Sequence, residues 1–311
     1  MEKKKIATRD GFGAAIYELG KENPDIYVVD ADIGKSCKTV AFRDSFPEQH
    51  INVGIAEQNC AGVAAGLATC GKIPFVATYA VFGSMRMCEM IRQEICYPRL
   101  NVKIACSHGG VTSANDGASH QCIEDLGIMR TLPNMTVIVP ADYTSAKALV
   151  KRAAEWDGPV YLRFTRDAIP IIYEEESDFQ IGKANVLREG NDVSLIAVGD
   201  TVAIALEAAE ALSAQGVEAR VLDMHTIKPL DKEEVKRCIR QTGRIITVED
   251  HNIYNGLGSA VADIVAEQGN ALLRKIGIQD QFGMSAPYER LLAMNGITAE
   301  QIVATARELL R

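Results

Sequence analysis

The sequence of 311 residues contains no run of 18 or more apolar residues, so it offers no candidate for a membrane-spanning helix. Its charged first residues, 1–5, are not followed by the apolar stretch of a signal peptide. It has eight cysteines but no C-x-x-C pair and no histidine spaced for a zinc site. Cys60, Cys70 and Cys106 lie in apolar segments, where a free cysteine behaves as a small hydrophobic residue. We therefore expect a protein of the reducing cytoplasm that has no membrane partner.

An excess of basic residues is also missing. The net charge is -8, whereas a nucleic-acid-binding protein usually carries a basic face, so we expect no nucleic-acid partner. Hydrophobic residues make up 47% and charged residues 24% of the chain, which is typical of a globular protein with a substantial core. Substrates that carry a phosphate stay possible, because a few local arginines are enough to bind one.

Strand-like and helix-like segments alternate along the chain, which predicts mostly parallel sheets with helices on both faces. The acidic stretch Tyr173–Asp178 interrupts this alternation and is typical of a solvated linker. We therefore predict an α/β protein of two domains, with residues 1–175 in the first, a linker at 176–190, and residues 191–311 in the second.

Glycine motifs for nucleotides are incomplete in this sequence. Gly34-Lys35-Ser36 matches the end of a phosphate-binding loop, but Val29 stands where that loop needs its first glycine. Gly256-x-Gly258 matches the start of a dinucleotide fingerprint, but Val261 stands at its third glycine position, and Gly11-x-Gly13 fails in the same way at Ile16. We expect Gly256 and Gly258 to shape a tight turn between a strand and a helix.

Glu57 is the first candidate site residue, because Gly54–Asn59 follows a predicted strand and opens a helix of small, apolar residues. A helix that is apolar nearly all round is expected to be buried, which places Glu57 at a buried N-terminus. One interpretation is a carboxylate stabilised by the helix dipole. The other is a functional acid that shares a proton with a ligand nitrogen, because a buried carboxylate needs a partner.

The segment VGIAEQNCAGVAAGLA resembles the pyrimidine-binding segment of the transketolase family of thiamine diphosphate enzymes. The resemblance implies that Glu57 accepts a hydrogen bond from N1′ of the cofactor's aminopyrimidine and so activates the thiazolium carbon. It also implies the fold: a parallel-sheet, pyrimidine-binding domain followed by a Rossmann-like transketolase C-terminal domain. Val248–His251 and Gly256–Gly258 resemble that second domain, which we expect to serve mainly in assembly.

An aromatic segment, Thr78–Ser84, follows the next predicted strand, where an aromatic residue is most often part of the core. In the transketolases an aromatic side chain at this place stacks on the aminopyrimidine. The resemblance assigns the ring-facing positions to Tyr79, Phe82 and Met85, and Phe82 is our choice for the stack. Met85 departs from the aromatic residue often found there, although a methionine also fills an apolar gap.

The polar loop Ser107–Gln121 carries two histidines and an aspartate just after a predicted strand, which is where parallel sheets bind ligands. A solvated loop is the alternative interpretation. The loop resembles the transketolase pattern H-x(7)-D-x(3)-H at full spacing. This implies that His108 and His120 contact the sugar hydroxyls and carbonyl and take part in proton transfer, and that Asp116 binds a hydroxyl beside the reacting carbon. Asn115 and Ala118 depart from the acid and the proline common there.

Phosphate-binding residues follow from the resemblance at three scattered positions. The family places an arginine, a serine and a second arginine where this sequence has Arg9, Ser36 and Arg166. An arginine grips phosphate with two hydrogen bonds and a serine hydroxyl adds a third donor. A lone arginine is otherwise most often just solvated. Asp32 matches an acidic residue near the cofactor.

The diphosphate half of the family pattern is missing. Transketolases bind the cofactor diphosphate through Mg²⁺ with a G-D-G motif in their N-terminal half, and no Gly-Asp-Gly occurs here. We see no candidate metal ligands in the chain. The resemblance therefore implies an N-terminal partner subunit that binds most of the Mg²⁺ and diphosphate, in an α₂β₂ assembly.

The sequence thus predicts ketol transfer between sugar phosphates, of the kind used in the pentose phosphate pathway, with thiamine diphosphate and Mg²⁺. One alternative is another thiamine enzyme, a deoxyxylulose-phosphate synthase or the β chain of a 2-oxo acid dehydrogenase. The polar histidine loop favours a sugar enzyme over the dehydrogenase. A second alternative is a non-catalytic α/β binding module, which does not require Glu57, His108, Asp116 and His120 together.

Overall fold

The computed structural model describes residues 4–311, and strands alternate with helices in its first half. The strands there are β1 (Lys5–Ile6), β2 (Ile26–Asp30), β3 (His50–Asn52), β4 (Ile73–Tyr79), β5 (Lys103–Ser107), β6 (Thr136–Ile138), β7 (Val160–Arg163) and β8 (Ile169–Pro170). The helices are α1 (Thr8–Glu22), α2 (Gly34–Cys37), α3 (Val40–Ser45), α4 (Glu57–Thr69), α5 (Cys88–Met90), α6 (Asp125–Thr131) and α7 (Tyr143–Glu155). Short 3₁₀ or π turns lie at Pro47–Gln49, Phe82–Arg86, Ile91–Cys96 and Ala114–Asp116.

The second half continues the same alternation. Its strands are β9 (Asn185–Arg188), β10 (Val193–Ala197), β11 (Ala219–Asp223), β12 (Thr226–Lys228), β13 (Arg244–Asn252) and β14 (Leu272–Ile278). Its helices are α8 (Thr201–Ser213), α9 (Lys232–Gln241), α10 (Leu257–Gln268), α11 (Tyr288–Met294) and α12 (Ala299–Leu310). Among residues 4–311 no helix is both long and apolar enough to cross a membrane.

The strands form two main sheets, which confirms the predicted α/β class. A seven-stranded sheet has the order β12-β6-β7-β5-β4-β2-β3 and is parallel except for β12. A five-stranded sheet has the order β14-β13-β10-β11-β9 and is parallel except for β9. All residues of β5 and β10 are buried, because helices cover both faces of each sheet.

Parallel strands bring their carboxyl ends to one edge of the first sheet. Strands β2, β4, β5 and β7 pair in parallel there, so the residues that follow them meet at the same edge. Those residues carry most of the side chains that the sequence singles out. The topology alone therefore assembles a candidate site from segments that lie far apart in the chain.

Strand β12 crosses between the two halves. Its residues belong to the stretch predicted as the second domain, yet Thr226 pairs with Ile138 at the edge of the first sheet. An antiparallel strand here covers backbone N–H and C=O groups of β6 that an open sheet edge would leave unpaired. The halves are consequently joined by more than the linker.

The acidic linker is solvated only in its middle. Glu174–Glu176 are exposed, but the flanking Tyr173 and Phe179 are buried, with their rings 4.7 Å apart. The Tyr173 hydroxyl donates to Asp223, 2.8 Å away, and burial raises the pKa of that aspartate to about 8. The acidic stretch that was predicted to be a solvated linker is therefore anchored to the core by the buried rings of Tyr173 and Phe179.

Helix α4 differs from the prediction that its whole surface is buried. Cys60, Ala61, Ala64 and Ala65 are buried, whereas Gly66 is exposed and Val63 is half-buried. Small residues pack closely along one side of the helix, whereas on the other side no atom from elsewhere in the described chain lies within 4 Å of the Cβ position of Gly66. An apolar helix face left open in this way is typical of a surface that another chain covers.

The joint between the halves centres on Arg163, a fully buried arginine at the end of β7. Its Nε donates to Asp125 at 2.9 Å, and its Nη2 donates to the carbonyls of Cys122 at 3.1 Å and Asp250 at 2.7 Å. Burial alone lowers an arginine pKa, but the carboxylates of Asp125 and Asp250 raise the pKa of Arg163 above its usual value. The guanidinium therefore stays charged and links β7, the loop before α6, and the second domain.

We expect Arg163→Met to lower the free energy of unfolding by about 3–5 kcal/mol, because it leaves a buried carboxylate without its partner. Urea-induced unfolding measures the change. Arg152→Met is the matched control, because Arg152 is half-exposed and its pairs with Glu155 and Asp178 lie on the surface. Equal loss of stability in the two variants would contradict this account of the joint.

Candidate functional site

Glu57 is the first residue of α4, as predicted, and only 4% of its surface is exposed. The positive end of the helix dipole favours a carboxylate at this position. Its Oε2 accepts a hydrogen bond from Nη1 of Arg86 at 3.1 Å. Arg86 is itself about half-exposed, so the carboxylate lies just below the surface and is reachable once that arginine moves.

Arg86 was not predicted from the sequence. Its guanidinium lies 5.0 Å from the centre of the Phe82 ring while it pairs with Glu57. The guanidinium therefore fills the space between the Glu57 carboxylate and the face of the Phe82 ring. A flat ligand ring with a nitrogen atom would need this same space to contact both side chains. The spacing of four residues from Phe82 was the available signal, because residues i and i+4 share one face of a helical turn.

Tyr79 and Phe82 bring the aromatic segment against the histidine loop. The two rings are nearly parallel, with centres 6.0 Å apart. The Tyr79 ring centre lies 3.8 Å from that of His108, and His120 lies edge-on to Phe82 at 5.8 Å. Met85, by contrast, is 40% exposed, and its predicted contact with a cofactor ring stays a prediction.

His108 begins the loop after β5 with a left-handed backbone, at a φ of 65°. A non-glycine residue in this region is strained, and such strain is found most often at functional sites. Its Nδ1 lies 2.8 Å from the Ser107 hydroxyl. Burial, helped by the positive charges of Arg9 and Arg166, lowers the pKa of His108 to about 3. The imidazole is therefore neutral at pH 7, when one nitrogen can donate and the other accept a hydrogen bond.

Asp116 and His120 lie at the tip of the same loop and remain accessible. Asp116 is exposed and accepts a hydrogen bond from Nη1 of Arg166 at 3.1 Å. The same Arg166 nitrogen donates to the Ser113 carbonyl at 2.7 Å. Nδ1 of His120 lies 2.9 Å from the Ser119 hydroxyl, which leaves its other ring nitrogen without a partner within the loop.

Arg9 and Ser36 meet beside this loop. Nη1 of Arg9 donates to the Ser36 carbonyl at 3.1 Å, whereas its Nε is buried and has no hydrogen-bond partner in residues 4–311. A buried guanidinium nitrogen without a partner is unusual, and an anionic ligand is one way to satisfy it. Arg9 and Arg166 both act on the pKa of His108, so the two arginines lie on the same site.

Asp32 follows β2 and lies next to the buried carboxylate of Asp30, which was not predicted as a site residue. Asp32 is exposed and accepts from the Asn52 amide at 2.9 Å, while its own N–H donates to Asp30 at 2.8 Å. Asp30 also pairs with His50 at 2.9 Å. Burial raises the pKa of Asp30, but the hydrogen bonds from His50, the Asp32 N–H and Thr39 outweigh it and lower that pKa below its usual value.

The second domain takes part in the site, which differs from the expectation that it serves mainly in assembly. The buried carboxylate of Asp250 accepts a hydrogen bond from the Val111 N–H at 3.0 Å. Its neighbour in β13, Glu249, accepts from the N–H groups of Leu257 and Gly258 at 2.7 and 2.8 Å, so Gly256 and Gly258 do shape a tight strand-to-helix turn. Two adjacent buried acids in one strand were the sequence signal.

The residues present fit one end of a thiamine cofactor. A buried carboxylate, a half-buried aromatic face and a neutral histidine suit an aminopyrimidine. Mg²⁺ on a diphosphate usually takes one or two carboxylates in addition to the phosphate oxygens. Residues 4–311 hold no group of three or more His, Cys, Asp or Glu placed to bind a metal ion.

Comparisons with known protein families match nearly the whole chain. Residues 4–171 match the model of the transketolase pyrimidine-binding domain, and residues 182–302 match that of the transketolase C-terminal domain. The break between the two matches, at residues 172–181, contains the acidic linker.

Two similar proteins and one solved structure match this chain along nearly its whole length. A 6-deoxy-6-sulfo-D-fructose transketolase subunit of Clostridium sp. (strain MSTE9) is 40% identical over 301 residues, which cover 97% of this chain and 94% of the relative. One subunit of an apulose-4-phosphate transketolase of Phocaeicola vulgatus is 38% identical over 307 residues, which cover 98% of each chain. A solved structure described as a split gene transketolase, inactive beta4 tetramer, superposes with a TM-score of 0.90 at 49% identity and covers 99% of both chains.

We expect His108 to remain neutral from pH 5 to pH 8, because its pKa is lowered to about 3 by burial and by nearby arginines. Carbon–proton NMR spectra of the histidine side chains, recorded across this range, measure the titration. The His108→Asn variant identifies the His108 signal. A His108 signal that titrates with a midpoint near pH 6.5 would show that the ring is open to solvent and would contradict the geometry.

Proposed function

Because the chain belongs to the transketolase family, we propose that it is the C-terminal subunit of a thiamine diphosphate-dependent transketolase. In this role it transfers a two-carbon ketol unit from a ketose phosphate to an aldose phosphate, together with an N-terminal subunit. The observation that carries the proposal is the buried Glu57 carboxylate beside the Phe82 ring, at the edge of the sheet where the histidine loop also ends.

In this proposal Glu57 activates the cofactor and Phe82 positions its aminopyrimidine ring. Thiamine diphosphate supplies the electron sink for breaking and forming a C–C bond. Glu57 accepts a hydrogen bond from N1′ of the aminopyrimidine, and Phe82 and Tyr79 provide the aromatic surface beneath the ring. Arg86 must leave Glu57 before this hydrogen bond forms, because its guanidinium now fills the space over Phe82.

The histidine loop handles the sugar in this proposal. His108, neutral at pH 7, is able to donate one hydrogen bond to the substrate oxygens and accept another, and through these contacts it takes part in their proton transfers. Asp116 accepts from a substrate hydroxyl near the reacting carbon, and Arg166 keeps its carboxylate oriented through the 3.1 Å hydrogen bond. His120 completes this set from the opposite side of the loop tip.

Arg9, Arg166 and Ser36 bind the sugar phosphate in this proposal. The unpartnered Nε of Arg9 supports the assignment, since an anionic oxygen would satisfy it. Arg9 is held by the backbone carbonyl of Ser36, so its charge remains available to a phosphate, whereas Arg166 shares its charge between the Ser113 carbonyl and the Asp116 carboxylate.

A partner subunit supplies the rest of the site in this proposal. The relatives described as subunits match along nearly their full length, and the exposed face of α4 and Ile55, which is 80% exposed, offer an apolar surface for a second chain. We infer that the N-terminal subunit binds Mg²⁺ and the diphosphate in an α₂β₂ assembly, with Asp32 near the interface between the two subunits. The eight free cysteines favour a location in a reducing compartment such as the cytoplasm.

The identity of the sugars stays open within this proposal. The relatives are named for 6-deoxy-6-sulfo-D-fructose and for apulose 4-phosphate, so a role in the pentose phosphate pathway is one specific case of a wider carbohydrate chemistry. A deoxyxylulose-phosphate synthase, which would use pyruvate as donor, is the alternative that the assay must separate. A dehydrogenase β chain is disfavoured by the histidine loop, and a non-catalytic module does not need the assembled site.

The direct test is reconstitution. The chain is purified with its natural partner, and two-carbon transfer from a ketose phosphate to an aldose phosphate is measured with thiamine diphosphate and Mg²⁺. We expect activity only when both chains are present. Full activity of the chain alone would contradict the divided site, and activity that requires pyruvate would favour the synthase.

Glu57→Gln should lower kcat of the reconstituted enzyme by about 10²–10⁴-fold, the usual contribution of a proton-transferring side chain. Glutamine keeps the size of the side chain but cannot share a proton with N1′. Glu267→Gln, an exposed acid near the end of α10, is the matched control and should leave kcat unchanged. Unchanged kcat in the Glu57 variant would reject this carboxylate as the activating group.

A further inference from the structure

A segment of the second domain lies against the loop that carries Asp116 and His120. This segment, residues 279–287, connects β14 to α11 and is called the strap below. Its contact point on the loop is Gln121, which directly follows His120 and is only 4% exposed. The amide nitrogen of Gln121 donates to the Met284 carbonyl at 2.9 Å and to the Ala114 carbonyl at 3.3 Å. One buried side chain thus links the two ends of the loop tip to the second domain.

Close approach at this contact depends on two glycines. A Cβ atom on Gly283 would lie 1.6 Å from Oε1 of Gln121, and a Cβ atom on Gly117 would lie 2.6 Å from the Ser285 hydroxyl. Both distances are far below normal contact distances. The backbone of each glycine therefore lies directly against a side chain of the other segment, and a larger residue at Gly283 or Gly117 would displace Gln121 or Ser285.

The strap is fixed at both of its ends. It begins after Ile278, which is 1% exposed and whose carbonyl accepts from the Ile253 N–H at 2.9 Å. It ends at Tyr288, whose hydroxyl donates to the buried carboxylate of Asp200. A segment anchored in this way is able to hold a loop in place rather than simply cover it.

Most hydrogen bonds of the loop tip are formed within the tip itself. They keep its shape but do not fix its position relative to the rest of the protein, so the tip needs support from outside. Its exposed residues are Asn115, Asp116, Ala118 and Ser119. The internal bonds are those of a tight turn, such as His120 N–H to the Gly117 carbonyl at 3.0 Å. Arg166 holds Asp116 from one side. On the side of His120, the side-chain hydrogen bond that ties the turn to the second domain is that of Gln121.

We propose that Gln121 and the strap form a positioning device for the sugar site: the second domain sets the place of Asp116 and His120 through the Gln121 amide and the close contacts of Gly283 and Gly117. The sugar role of Asp116 and His120 rests on the proposed function. The mechanical link does not, because it is a property of this chain. Through the strap, the C-terminal domain thereby influences how the sugar is bound.

The link is tested first without any activity. Hydrogen–deuterium exchange is measured on the isolated chain for peptides covering residues 113–121, in the natural sequence and in Gln121→Ala and Gly283→Ala. We expect exchange in this segment to rise by at least about tenfold in both variants, as for a loop that opens locally. The control is Gln281→Ala, because Gln281 is an exposed strap residue whose amide bonds Asn295 instead of the loop. Exchange equal to the natural chain in both test variants would overturn the link.

The consequence for the sugar is tested in the reconstituted enzyme. We expect both test variants to raise KM for the sugar phosphates by about tenfold, since small displacements of positioning groups are costly. The thiamine diphosphate concentration that gives half-maximal activity should stay unchanged, as should all constants of Gln281→Ala. A general loss of folding would move the cofactor constant as well, so that result, or an unchanged KM, would overturn the positioning role. If the natural complex transfers no ketol unit, the proposed function fails while the exchange result still stands.

Discussion

The buried guanidinium of Arg163 is the interaction on which the rest of the site depends. It sits at the carboxyl end of β7 and binds Asp125, the Cys122 carbonyl and the Asp250 carbonyl at once. Gly109 also packs directly against it, because a Cβ atom there would lie 2.4 Å from Nε of Arg163. One charge therefore fixes the start of the histidine loop, its end, and the strand of the second domain that supports it. A buried arginine with fewer partners would cost more than it stabilises.

This arrangement explains why the C-terminal domain supports the candidate site even though it supplies no residue that we assign to the chemistry. Asp250 accepts from the Val111 N–H near the beginning of the loop, and the strap holds Gln121 at its end. Between these points the loop is free to expose Asp116 and His120. Rigid support below and accessible polar groups above are the usual requirements for a precise binding site.

The sequence was sufficient for the fold class and for the segments that form the site, because the alternating pattern and the histidine loop are local signals. Glu57 at the start of α4 was predictable since a strand, a turn and a small-residue helix follow one another there. Three hydrogen-bonded pairs were not predictable, because their members meet only in the tertiary fold. They are Arg86 with Glu57, His50 with Asp30, and Gln121 with the strap. The crossing of β12 to the first sheet was missed for the same reason. The roles of the individual site residues remain predictions.

The central claim is that the Glu57 carboxylate forms a hydrogen bond with N1′ of the aminopyrimidine, in a cofactor site at the interface with a second chain. A crystal structure of the assembled two-subunit protein with thiamine diphosphate measures this most directly. The account predicts N1′ of the aminopyrimidine within about 2.6–3.2 Å of a Glu57 oxygen, with Arg86 moved away from both Glu57 and the Phe82 ring. A bound cofactor whose pyrimidine lies elsewhere, with the Arg86–Glu57 pair intact, would contradict it.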